Sequence, residues 1–143
     1  MVAEVGTTPA IMASAGLNMS ALTCVAVLDG SPLDVEAIFN NPPSAATLAT
    51  MQRVYGTDPA VWAAASAMNN ARNGNTARHF FVVLRTTQTA FQTQFAATLR
   101  SVGVSVTTVN ASSIGHGQVI NNIGAATDTV MTAPMLSFLN ECR

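Results

Sequence analysis

Apolar residues along this chain fall into two kinds of run. Leu22–Leu28 and His79–Leu84 are nearly continuous in apolar and β-branched side chains, while Val104–Val109 alternates apolar with hydroxyl residues. Short continuous runs suit strands covered on both faces, the pattern of a parallel sheet between helices, and the alternating run suits an edge or half-covered strand. Between them the spacing becomes helical. Ala45–Tyr55 carries Leu48, Met51, Val54 and Tyr55 and stops before Gly56; Pro59–Ala67 opens with Asp58 as an N-cap and Pro59 at the first helical position. Gln88–Val102 places Phe91, Phe95, Leu99 and Val102 on one stripe before Gly103, and Val130–Glu141 does the same with Met131, Met135, Phe138 and Leu139. These Met and Phe stripes are core positions rather than cofactor contacts. Asn40–Pro43 reads as a turn and Asn69–Arg78 as the most flexible linker. Strand and helix in alternation predict βαβ units with right-handed crossovers, hence an α/β fold: a three-layer αβα domain around a short parallel sheet of about three strands.

Composition sharpens this picture. With 143 residues the chain forms one domain, 1–143, and no internal repeat divides it. Only 9% of residues are charged against 49% apolar, which excludes disorder and leaves little charged surface to hold copies apart. An oligomer is therefore expected. There is no lysine; the six basic residues are arginines scattered from Arg53 to Arg143, giving no electrostatic footprint for nucleic acid and no polybasic patch for a membrane surface. No apolar run approaches the roughly 20 residues of a membrane-spanning helix. Met1–Ala10 carries Glu4 and no basic cluster, so it does not read as a signal peptide, and a cytoplasmic default follows. Cys24 and Cys142 lack metal-ligand spacing. Cys24, inside an apolar strand, reads as a small buried thiol, and the sequence does not decide whether it pairs with Cys142.

In an open parallel sheet, chemistry gathers beyond the carboxyl ends of the strands. Two segments lie there: Leu28–Asp34 after the first strand, and Asn110–Gln118 after the third. The second contains His116 between Gly115 and Gly117. A histidine flanked by glycines just past a strand is ill placed for core packing and well placed to project into a cleft. His79 leads a buried strand and reads as structural. No glycine-rich phosphate loop follows any strand, which sets aside nucleotide binding. No cofactor or metal is expected.

Several segments carry a family resemblance. Leu28–Gly30 followed by Tyr55–Ser66 resembles the stretch between the sixth and seventh sheet strands of α/β-hydrolase carboxylesterases and lipases. Phe95–Val104 and then Gly115–Gly117 resemble their last strand and catalytic-histidine loop. Asp128–Thr132 with Phe138–Leu139 is similar to a C-terminal helix of an esterase-like branch, and Thr7–Pro9 with Ala13–Leu17 resembles the segment after the nucleophile helix. The resemblance covers nearly the whole chain and rests on the order and spacing of soft motifs. It implies the C-terminal half of that fold, with His116 as general base.

Two departures qualify that implication. No G-x-S-x-G nucleophile elbow occurs, and Ser14, Ser20 and Ser31 lack its context, each reading as a cap or turn residue. The loop where the family usually keeps its acid is Arg85–Gln88, and no Asp or Glu lies between Asp58 and Asp128. Asp29, beyond a strand on the same sheet edge, is the best remaining partner for His116. The expected function is an esterase-like half-domain, inert alone as a truncated or split serine hydrolase that takes a small ester when completed. The alternative is a non-catalytic interaction module built on the half-fold. Expected partners are further copies or a complementary N-terminal hydrolase half, with Leu22–Leu28 left as an open sheet edge.

Overall fold

The computed structural model describes residues 2–30, 32–85 and 89–143. Three strands, β1 (Cys24–Val27), β2 (His79–Leu84) and β3 (Ser105–Asn110), form a parallel sheet in the order β1-β2-β3. Cys24 pairs with His79 and His79 with Ser105, so all three strands start level and their carboxyl ends share one edge. The α/β class and the all-parallel sheet are those the hydrophobic runs imply. β2, the most continuous run, is the central strand, with Phe80, Phe81, Val82 and Val83 all at 0% exposure. β3, the alternating run, lies at an edge.

Helices cover both faces. On one, α1 (Val2–Thr7), α6 (Ala67–Ala71) and α7 (Thr89–Ser101) bury Ala3, Met68, Phe95 and Leu99 against Val25, Val27, Phe80 and Val82. On the other, α8 (His116–Asn121) and α9 (Thr132–Glu141) bury Val119, Met131, Met135 and Phe138 against Phe81, Val83 and Val109. Burying side chains of this size stabilises by roughly 1.5–3 kcal/mol each, which makes the two faces of β2 the centre of the fold. A satellite cluster joins α3 (Val35–Asn40), α4 (Ala45–Tyr55) and α5 (Pro59–Ala65), with the Phe39 and Trp62 rings stacked 3.9 Å apart. α2 (Pro9–Ser14) and a 3₁₀ turn, Met19–Ala21, lead the chain into β1.

Two expectations are corrected. The linker read over Asn69–Arg78 is shorter than expected: Asn69–Ala71 complete α6, where Ala67, Met68 and Ala71 are fully buried, Arg72–Asn75 form an exposed turn, and Ala77 is buried with its N–H donating to the Gly6 carbonyl. Cys24 is not a free thiol. It is bonded to Cys142 across 118 residues of sequence, with the two Cα atoms 5.8 Å apart. The packing of α9 on the face that Cys24 shares brings its C-terminal residue to the start of β1. Among the described residues, no helix is long and apolar enough to cross a membrane.

Candidate functional site

The carboxyl ends of β1 and β2, together with the first turns of α7 and α8, place four side chains from distant parts of the chain in one cluster. Asp29 follows β1 and takes a left-handed backbone conformation, φ 54°, which a short carboxylate side chain tolerates better than most residues. That conformation turns the chain out of the strand and directs the carboxylate back over the sheet edge, where its side chain is only 2% exposed. His116 is the first residue of α8, behind the N-cap Gly115, whose N–H is held at 2.7 Å by Gln118 Oε1. Its Nδ1 lies 2.7 Å from Asp29 Oδ2, while the imidazole itself is 69% exposed.

Two further groups complete the shell of the carboxylate. Arg85, the residue after β2, donates from Nε to the same Oδ2 that faces His116. Gln92, fully buried on α7, donates from Nε2 to Oδ1 at 3.1 Å and accepts the Arg85 backbone N–H on Oε1 at 2.8 Å. Asp29 is thus tied to β2, α7 and α8 at once. Burial pushes its carboxyl upward, but hydrogen bonds from His116, Arg85 and Gln92, with the Arg85 charge, outweigh it, so the net displacement is below the usual carboxylate value.

An ionised carboxylate only accepts hydrogen bonds, so His116 Nδ1 carries a hydrogen, and in the neutral imidazole Nε2 is then the nitrogen with the lone pair. No described residue hydrogen-bonds Nε2. A carboxylate orienting the inner nitrogen of an exposed imidazole is an arrangement suited to general base chemistry at the outer one.

The two residues singled out in the sequence, Asp29 and His116, are therefore brought together. His79 is not among them: it begins β2 at the opposite edge of the sheet, and its buried Nδ1 has no partner among the described residues. Ser14 Oγ donates to the Ile11 carbonyl at 2.7 Å, and Ser20 lies in the 3₁₀ turn before β1 with its N–H capped by Asn18. Ser31, expected as a turn residue, and Thr86–Gln88, in the segment where the family usually keeps its acid, lie outside the described residues. Arg85 and Gln92 were not singled out by sequence. The only signals for them were the position of Arg85 directly after a strand and a glutamine within a helix otherwise read by its apolar stripe. Among the described residues no cluster of His, Cys, Asp and Glu could hold a metal ion. No family model matches the chain, and no curated protein or solved structure matches it.

Proposed function

We propose that this chain is an α/β-hydrolase-like half-domain that presents the acid–base arm of a serine-esterase-type site and turns over little or no ester by itself. The observation that carries the reading is the Asp29–His116 pair, 2.7 Å apart, with a buried carboxylate and an outward imidazole. In such a site a serine hydroxyl of a complementary hydrolase half would pass its proton to Nε2 as its oxygen attacks a carboxylic ester carbonyl. Asp29 would hold the resulting imidazolium in place. The order of Leu28–Gly30, Tyr55–Ser66 and Gly115–Gly117 supports the same assignment by resemblance. Triad groups act as a unit, so an acid–base pair without its nucleophile and oxyanion donors contributes little.

The Cys24–Cys142 disulfide supports an oxidising compartment for this protein, in place of the cytoplasmic default. A second reading, a non-catalytic module, is favoured by Arg85: its guanidinium occupies the Oδ2 atom that would otherwise serve His116 alone. The test is labelling with a fluorophosphonate serine probe beside turnover of p-nitrophenyl acetate. The expected result is no labelled serine and negligible turnover. One serine labelled in the isolated chain, and lost in His116→Ala, would overturn the inert half-domain.

A further inference from the structure

The two edges of the sheet are finished in opposite ways. β3 presents the polar, exposed residues Ser105, Thr108 and Asn110, and Arg100 Nη2 donates to the Val106 carbonyl at 2.8 Å. Polar decoration and an arginine over the backbone are the usual defences of an edge strand. Among the described residues β1 has neither: Cys24–Val27 contains no charged residue and no proline, and its outer side borders a groove of about 350 Å³. The groove wraps around the strand. Ala26 and Leu28 reach it from the layer of α8 and α9, Val27 from the layer of α1, and Val2 and Ile120 stand at its two sides. A space bounded by both helical layers and by a strand edge has the shape of a place for one more strand, which in a sheet lies about 4.8 Å away.

We propose that this edge is a homodimer interface, in which β1 of a second copy lies antiparallel to β1 across a two-fold axis and joins two three-stranded sheets into one of six strands. Three observations choose a second copy over another partner. No described residue lining the groove is charged, so the two grooves bring no like charges together across a two-fold axis. The strand that must fill the space is itself small and apolar. The rim supplies projections as well as the hollow: Val2 and Ile120 are each 55% exposed, so each copy offers apolar side chains to the groove of the other. Backbone pairing along four residues is a small contact, and burial of this rim gives the association its strength.

The experiment is sedimentation velocity on the full chain from about 1 to 100 µM, with Val2→Glu/Ile120→Glu as the interface variant and Thr108→Lys as a control on the other edge. Both rim residues are exposed, and circular dichroism reports whether each variant keeps its fold. The expected result is a species of twice the 14.8 kDa chain mass, association weakened at least tenfold by the two glutamates, and no change from Thr108→Lys. A monomer at 100 µM, including one that takes up an added strand peptide, would overturn the proposal. So would a dimer that survives the glutamates, or one disrupted from the β3 edge.

Discussion

Replacing Asp29 tests whether one carboxylate holds the carboxyl edge of the sheet together. Three side chains donate to it, and they differ in how well water can replace it. The imidazole of His116 is 69% exposed and loses almost nothing. Arg85 keeps 20% exposure, so its bond to a charged acceptor belongs at the lower end of the usual range, about 1.5 kcal/mol. Gln92 is at 0% exposure, and its amide, once orphaned, costs about 1–3 kcal/mol. The backbone adds a further effect, because alanine at φ 54° is disfavoured by roughly 1–2 kcal/mol.

Asp29→Asn keeps an acceptor for Gln92 and a side chain that accepts the left-handed region, so it should cost about 2 kcal/mol. Asp29→Ala loses all three partners and adds strain, for about 4 kcal/mol, and Asp29→Gly should recover roughly 1 kcal/mol of that by removing the strain. Urea unfolding at pH 7 followed by circular dichroism reads these values. With a denaturant slope of about 1–3 kcal/mol/M, 2 kcal/mol is a midpoint shift near 1 M. If Asn and Ala both stay within about 0.5 kcal/mol of the parent, the network contributes nothing. If Asn proves costlier than Ala, the assignment of partners is wrong.

Three other outcomes follow from separate parts of the molecule. A Cβ at Gly6 would sit 2.8 Å from both Phe80 Cζ and Val25 Cγ2, so Gly6→Ala should push α1 off the sheet and cost about 1–3 kcal/mol in the same unfolding assay. Cys142→Ser opens a loop of 118 residues and should lower stability by about 2–5 kcal/mol, with the parent protein losing the same amount under reducing conditions. In acid, both Asp29 and Asp128 are held below the ordinary value of 3.8, Asp128 at about 2 through its bonds to the Thr132 hydroxyl and to the backbone of Val130–Thr132. The stability they add is complete above about pH 5 and drains away as pH falls through their folded values, so thermal unfolding between pH 5 and 2 should show a steady drop that is smaller in Asp128→Asn.

What could be read in advance divides by the range of the interactions. The strands were legible because each run of six or seven residues carries its own signal, two of them nearly continuous in apolar side chains and the third alternating, and α4, α7 and α9 because ten or more residues suffice to display a helical stripe. The helices that went unread, α1, α2, α3, α6 and α8, have six residues or fewer, too few for a period of 3.6 to register and too few to be stable outside their packing. α8 matters most among them, since it makes His116 the first residue of a helix rather than a point on a loop. The site shows the same division. Asp29 and His116 could each be placed beyond a strand end from local sequence, and parallel strands starting level then bring those ends to one edge. Arg85 and Gln92 reach Asp29 across 56 and 63 residues, and the disulfide spans 118, so their partners are set only by how the layers close. The fold and the Asp29–His116 pair follow from local pattern and sheet topology together. The Arg85 contact depends on tertiary packing alone, and that contact decides how much of the Asp29 charge is left for the imidazole.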